Sequence, residues 1–366
     1  MDLVQARLDD FLTERGAELR AISPDLDVVD DCARRLLAGG KRFRALFCYW
    51  GWRAVTGLAA EFDPLADDTD ADDLAAVVSI AAGLEVFHAA ALVHDDIMDN
   101  SDLRRGQPSV HRAFAILHGE RGWDGSPDAY GLSAGLLLGD LLLGWSDELV
   151  DAGVAAAGDP ASGRATRTEF GRMRTEVTAG QYLDIFEEMA WRAVAEEEHL
   201  SRAHRVIVYK SAKYSVEAPL AIGATLAGGS LPQISALRDF GLPLGIAFQL
   251  RDDLLGVFGD PAVTGKPAGD DLREGKRTVL VTLARQKLPA SAARLFDELL
   301  GDRTLDADQI AMLQTAVRDS GAVDQVERVI ETQLARARAA LADAPIARSA
   351  REELRGLADA VTTRSS

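Results

Sequence analysis

Two short aspartate runs carry the chemistry most visible in this chain: Asp95-Asp96-Ile97-Met98-Asp99 and, far downstream, Asp252-Asp253-Leu254-Leu255-Gly256. Each ends a strongly apolar stretch, Leu74–Val93 in the first case and Phe240–Leu250 in the second. Burying ionised carboxylates without a partner is costly, and several on one wall cost more. A cation must therefore offset them. On a helix of about 3.6 residues per turn, Asp95 and Asp99 stand one turn apart on one face, and Asp102 extends the row if the helix continues. All-oxygen ligands suit Mg²⁺, which keeps water and shares substrate phosphates. The clusters thus predict a polyphosphate held through metal. A single acidic helix end is more often merely solvated; the second Asp-Asp pair, with basic residues after both, favours the metal reading.

Four basic elements accompany the acids. Gly39-Gly40-Lys41-Arg42-Phe43-Arg44 sets flexible backbone beside three cations, a pyrophosphate seat. Asp102-Leu103-Arg104-Arg105-Gly106 follows the first cluster, and Lys210-Ser211 lies on a mixed helix. Gly265-Lys266-Pro267 and Glu274-Gly275-Lys276-Arg277 follow the second cluster in a glycine-rich loop. Each alone reads as ordinary surface charge. Together they make two pyrophosphate sites, one through metal and one through direct Lys/Arg contact.

Helical periodicity runs through nearly the whole chain, with no alternating strand of useful length, so the expected fold is a single all-α domain over residues 1–366. Helices at Leu74–Val93, Ser133–Leu143 and Pro243–Leu250 are apolar all round and belong inside a bundle. A deep, dry cavity between them would suit a ligand with a charged head and a hydrocarbon tail. The acidic loop Asp67–Asp73 reads as a solvated linker. The 366 residues are 47% hydrophobic, enough for a substantial core, and carry a formal net charge of −18. That balance excludes nucleic acid as the main partner. Cys32 and Cys48 have no metal-type spacing, which points to a reducing, cytoplasmic protein. The start reads as an amphipathic helix and not as a signal peptide, and Leu132–Trp145 is too short to span a bilayer and contains Asp140.

The combined set resembles the trans-isoprenyl diphosphate synthase (polyprenyl synthetase) family. The resemblance rests on Gly39–Arg44, His88 with His94-Asp95-Asp96-x-x-Asp99, Arg104-Arg105-Gly106-x-Pro108-x-x-His111, Gly180-Gln181-x-x-Asp184, Lys210-Ser211, Phe248-Gln249-x-x-Asp252-Asp253, and Gly265-Lys266-Pro267 with Glu274-Gly275-Lys276, and covers residues 35–285. It implies an isoprenoid-synthase-type helical bundle around a deep central cavity, usually a homodimer. It also implies condensation of isopentenyl diphosphate with an allylic diphosphate (dimethylallyl, geranyl or farnesyl). Asp95, Asp99 and Asp252 would hold Mg²⁺, roughly three ions per site with Mn²⁺ as a substitute, and Asp96 would support them. Arg104, Lys210 and Lys266 would contact the allylic diphosphate, with Lys276 close by. Lys41, Arg44, His88 and Arg105 would bind isopentenyl diphosphate. Ser211, Gln181 and Gln249 would turn oxygen dipoles toward a developing carbocation, and Asp184 would orient Lys210 or Arg104. His94 receives no role.

Two departures stand out. Gly256 occupies the place where many relatives carry a third aspartate, which leaves the second cluster short by one carboxylate and loads Asp252. Ser211 replaces a common threonine but keeps the hydroxyl. For product length, Ala91 and Ala90 stand four and five residues before Asp95, too small to stop a growing chain. Phe87 is three residues deeper on a similar face, ~4.5 Å further by helical rise. A floor at Phe87 favours geranylgeranyl diphosphate (C20), with farnesyl diphosphate (C15) as intermediate or co-product. A class I terpene cyclase shares the metal logic but does not need Gly39–Arg44 or Arg105. A non-catalytic partner subunit would be expected to lose the first cluster or its arginines.

Overall fold

The computed structural model describes residues 2–62, 71–104, 106–260 and 268–362. Arg105, Lys266 and most of the Asp67–Asp73 loop lie outside the described residues. The chain divides into two compact units, residues 1–167 with 222–229 and residues 168–221 with 230–366. Both are helical, and among the described residues the only strands are Leu103–Arg104 (β1) and Gln107–Pro108 (β2), a two-residue antiparallel hairpin.

The first unit contains α1 (Asp2–Ile22), α2 (Asp27–Leu37), α3 (Phe43–Phe62), α4 (Ala71–Met98), α5 (Val110–Arg121) and α6 (Pro127–Ala155). Its core is the antiparallel pairing of α4 with α6. Small residues mark the register, because a side chain added to them would strike the opposite helix. Gly153 faces Ile80, Gly83 faces Ser146, Leu149 and Val150, Gly139 faces His94, and Gly135 faces Ile97. The α6 positions Gly135, Gly139, Leu142, Ser146, Leu149 and Gly153 alternate in steps of four and three, as do Gly83, Phe87, Ala90 and His94 on α4. Such spacing keeps one stripe of each helix on a common seam. By length and composition α4 could cross a membrane, but 72% of its apolar window is buried within the protein. It is a core helix.

The second unit takes in the rest of α7 (Pro160–Ala190), which begins in the first unit, then α8 (Glu196–Val206) and a π-helix (Ile207–Glu217) that leads into α9 (Ala218–Leu226), whose residues from Ile222 on belong to the first unit. It continues through α10 (Leu231–Phe258), α11 (Asp270–Glu274), α12 (Val279–Lys287), α13 (Ala290–Leu299), α14 (Ala307–Asp319), α15 (Ala322–Ala340) and α16 (Arg348–Thr362). Leu250, Leu254, Val257, Leu272, Leu280 and Ile330 share its apolar core. The C-terminal helices brace α10: Arg251 makes two hydrogen bonds to Glu327, of 2.6 and 2.7 Å, and the Gln314 amide donates to the Val257 carbonyl at 2.7 Å. The π-helix joins α8 to α9 without a break, and the glycine-rich loop after the second cluster contains α11.

Candidate active site

In the first unit, α4 delivers the first acidic cluster and then stops in a defined way. Asn100 takes a left-handed φ of 49°. Its N–H bonds to the Ile97 carbonyl at 3.2 Å, and the Ser101 N–H reaches the Asp96 carbonyl at 2.9 Å, the paired bonds of a Schellman cap. Asp99 is the capping residue. Its own N–H still bonds to the Asp95 carbonyl at 2.8 Å, so the two carboxylates keep their one-turn spacing. The row does not extend to Asp102, which lies past the cap and pairs with Arg112 at 2.6 Å. The hairpin that follows returns Arg104 onto the helix. Arg104 Nε donates to both Asp96 oxygens at 2.9 and 3.2 Å, and its Nη2 lies 3.7 Å from Asp95 Oδ2. Asp96 is buried, whereas Asp95 keeps 19% of its side chain exposed. Breaking such a pair from one side costs about 3–5 kcal/mol. Asp96 therefore anchors Arg104, while Asp95 and Asp99 stand one turn apart at the end of α4.

The basic loop is built by the same helix. Gly39 and Gly40 both adopt positive φ, 69° and 89°, which suits glycine best. Glu85 Oε1 accepts the Ala45 N–H at 3.0 Å, satisfying one of the open donors at the start of α3. His88 lies one turn beyond Glu85 on α4. Lys41 is exposed and Arg44 half-buried, but Arg42 turns inward, with its guanidinium on Gln5 and on the Leu37 carbonyl. The three-cation seat read from sequence thus has two outward cations and one structural one. Glu85 went unnoticed in the sequence because it sits alone in an apolar run; its three-residue spacing from His88 was the available signal.

The α4–α6 register also places the residues of the product-length argument. Ala91 shares the partly exposed face of α4 with His88 and Asp95, while Ala90 and Phe87 belong to the seam against α6. Phe87 and Ala90 are buried, at 4% and 0% exposure. Phe87 therefore lies on the seam side of α4, about two turns before Asp95. His94 packs over Gly139, and its ring nitrogen lies 3.5 Å from Asp140.

In the second unit, Lys210 and Ser211 lie on the π-helix, a form found often at functional positions. Gly180 allows α7 to approach it: a Cβ there would lie 2.3 Å from the Lys210 nitrogen. One turn on, Asp184 Oδ2 accepts from Lys210 Nζ at 2.5 Å. Asp184 thus orients Lys210, and Arg104 has its own partner in Asp96. Gln181 and Ser211 are half-buried nearby in sequence. Lys276 Nζ is held by Glu274 at 2.7 Å.

The aspartate pair on α10 splits into two environments. Asp252 is exposed, and Asp253 is buried with its Oδ1 accepting from the Gln249 amide at 2.9 Å. Among the described residues Asp253 Oδ2 has no hydrogen-bond partner. Burial pushes its carboxyl well above the usual range; the Gln249 bond opposes this, and the charges of Asp271, Asp252 and Asp184 add to it. The missing acid at Gly256 has a spatial replacement. A Cβ on Gly256 would meet Asp271 Oδ2 at 1.9 Å and its Cγ at 2.4 Å, so the Asp271 carboxylate from α11 occupies that space. Asp271 was missed because α11 lies in a stretch read as loop; Gly256 itself was the signal.

The donors in both units are carboxylate oxygens, the set that Mg²⁺ prefers. Among the described residues no three of them converge on one point. The polyprenyl synthetase family model matches residues 27–317. The chain belongs to the polyprenyl synthetase family. A geranylfarnesyl diphosphate synthase of Aeropyrum pernix is 31% identical over 87% of this chain and 88% of its own length. A geranylgeranyl diphosphate synthase of Methanosarcina mazei is 31% identical over 80% and 76%. A crystal structure of geranylgeranyl pyrophosphate synthase from Corynebacterium glutamicum, complexed with isoprenyl diphosphate and magnesium, superposes with a TM-score of 0.90 at 39% identity, over 100% of this chain and 98% of that one. The family match reaches past residue 285 into α14, whose Gln314 braces α10. The protein is a trans-prenyltransferase of this family with its all-α isoprenyl synthase fold.

Proposed function

We propose that this protein condenses isopentenyl diphosphate head-to-tail with an allylic diphosphate, in a Mg²⁺-dependent reaction, and that geranylgeranyl diphosphate is its main product. The observation that carries the reading is the Asp95–Asp99 pair, spaced one turn apart at a capped helix end, with Arg104 locked onto the intervening Asp96. The two units act as one polyprenyl synthetase domain, because the chemistry needs both clusters. Asp95, Asp99 and Asp252 would hold Mg²⁺, with Asp271 in the place of the absent third acid. When bound, the metal neutralises the charge that develops on the leaving diphosphate.

The remaining roles belong to the chain's own groups. Arg104 and Lys210, each fixed by a carboxylate, stabilise the departing diphosphate; Lys276 and Lys266 serve the same anion. Lys41, Arg44, His88 and Arg105 bind isopentenyl diphosphate beside the Gly39-Gly40 backbone. Ionisation leaves an allylic cation, which the double bond of isopentenyl diphosphate attacks to form the new carbon–carbon bond. The released diphosphate then takes the proton. Gln249, whose amide nitrogen is committed to Asp253, keeps its carbonyl oxygen for the cation, and Ser211 and Gln181 add theirs. Apolar walls keep water from the cation.

A homodimer acting in the cytoplasm is part of this proposal. The exposed Leu132, Leu136 and Leu137 along α6 form an apolar surface that a second copy would cover. Relatives named as C20 and C25 synthases support a chain of C20 or longer, and the Phe87–Ala90 seam is the place where a growing chain would meet a wall. Farnesyl diphosphate or a longer chain is the alternative product. A terpene cyclase or a non-catalytic subunit is less favoured, since the loop at Gly39–Arg44 and the first cluster are both intact. Incubation with Mg²⁺, isopentenyl diphosphate and each allylic primer should give a C20 diphosphate. No elongated product with any primer would refute the proposal.

A further inference from the structure

The π-helix that carries Lys210 and Ser211 is fastened at its far end by a buried group with no role so far. Its last residue is Glu217, only 4% exposed. The Arg238 guanidinium of α10 donates to Glu217 Oε1 and, at 2.8 Å, to Glu169 Oε2 of α7. Arg172 joins from α7, 2.8 Å from Glu169 and 3.9 Å from Glu217. Two acids and two bases balance, so the cluster ties three elements together and keeps no net charge with which to hold an ion. Glu217 Oε2 makes no hydrogen bond among the described residues. A buried, incompletely bonded carboxylate is a costly way to fasten a helix, and it suits a place where one particular register matters.

Register matters here because i→i+5 closure is rare and usually limited to a single turn. Ile207–Glu217 sustains it over 11 residues, and at its end the Ala218 N–H still bonds to the Lys213 carbonyl, five residues back. Close backbone packing supports it. α7 comes against Lys210 at Gly180, and α10 comes against Ala212 and Glu217. A Cβ on Gly245 would lie 2.5 Å from the Ala212 carbonyl oxygen, and one on Gly241 would lie 2.8 Å from Glu217 Cα. Arg238, Gly241, Gly245, Gln249 and Asp252 follow one another on α10 in steps of three and four, which puts them on one face. The tie at Glu217 thus belongs to the face of α10 that also carries Gln249 and Asp252. Relaxation of the segment to an α-helix would rotate Lys210 and Ser211 relative to that face.

We propose that Glu217 is a positioning residue: its tie to Arg238 holds the π-helix in register, so that Lys210 and Ser211 stay set against the face of α10 that carries Gln249 and Asp252. The catalytic consequence rests on the prenyl-transfer reading above; the clamp itself does not. Asp184 and Glu217 divide the work. Asp184 bonds to the Lys210 amine and fixes where it points, whereas Glu217 fixes the backbone from which it projects. Charge stabilisation in the transition state depends on donors already held in place, so a loosened register should reduce turnover more than substrate binding.

The test pairs amide hydrogen exchange, read by mass spectrometry, with steady-state kinetics on the full-length parent, Glu217→Gln, Arg238→Lys and Glu327→Gln. The last variant loosens the Arg251 brace of α10 instead and controls for lost stability. In Glu217→Gln, exchange in residues 207–217 should quicken about tenfold or more. Its kcat should fall about tenfold or more, while KM for isopentenyl diphosphate changes by less than about twofold. Arg238→Lys should show smaller changes of the same kind and carries the test should Glu217→Gln fail to fold. Glu327→Gln should leave both the exchange of residues 207–217 and kcat as in the parent. A parent with no elongation activity would remove the prenyl-transfer reading, and the exchange comparison would then decide the clamp by itself. Parent-like exchange in both clamp variants, quickened exchange with unchanged kcat, or an equal loss of kcat in Glu327→Gln would overturn the proposal.

Discussion

The two acidic clusters, proposed to share one chemistry, are built differently. In the first unit one helix supplies everything: Asp95 and Asp99 are a turn apart, and the Schellman cap at Asn100 preserves that spacing. In the second unit α10 supplies only Asp252 and the buried Asp253, and the third carboxylate comes from α11, as Asp271 in the space over Gly256. A cluster drawn from one helix is local and visible as a motif. A cluster assembled from two elements is tertiary, and only the gap it leaves is visible.

The largest effect should come from the local cluster. Asp95→Ala or Asp99→Ala should lower kcat/KM by roughly 10³-fold, as loss of a main charge-stabilising group does, with the fold intact by circular dichroism. A loss under about tenfold in either would mean that the helix does not carry the metal chemistry. Next comes the tertiary cluster. Asp271→Ala should raise the Mg²⁺ concentration needed for half-maximal rate by about 10–100-fold, and Gly256→Ala should do likewise by displacing that carboxylate. Equal metal requirements in variants and parent would break the comparison.

Smaller effects should come from residues that position others. Gly180→Ala places a methyl 2.3 Å from the Lys210 nitrogen, so it should cost about 1–3 kcal/mol of stability and reduce kcat more than it changes KM. Phe87→Ala should change rate least. It should lengthen the product beyond C20 on thin-layer analysis and lower stability by about 3–5 kcal/mol. Lost stability with unchanged product would make Phe87 a packing residue of the α4–α6 seam alone.

Much of this was legible in the sequence because it is periodic. The helices of the core, the Asp95–Asp99 spacing and the Gly39–Arg44 loop follow from local pattern, whereas the pairing of Asp184 with Lys210 was one of two alternatives that the family resemblance implied. Arg42 was misjudged because a charge between two outward cations gives no sign that it turns to Gln5 and Leu37. The seam that carries Phe87 was not legible, because counting turns upstream from Asp95 gives no sign of α6, which only the glycine contacts fix. Asp271 was hidden for a third reason: it lies on a five-residue helix whose position is set by packing, not by its own sequence.

The central claim is that Asp271 stands in for the acid that Gly256 lacks, and an exchange of the two tests it most directly. Removing the Asp271 side chain opens the space into which an aspartate at 256 would project. The Mg²⁺ dependence of the initial rate should therefore be compared among the parent, Asp271→Ala, and the double variant Asp271→Ala with Gly256→Asp. The account predicts that the single variant requires about 10–100-fold more Mg²⁺ and that the double variant recovers most of that loss. A double variant no better than Asp271→Ala, or an Asp271→Ala protein with the parent's metal requirement, would contradict it.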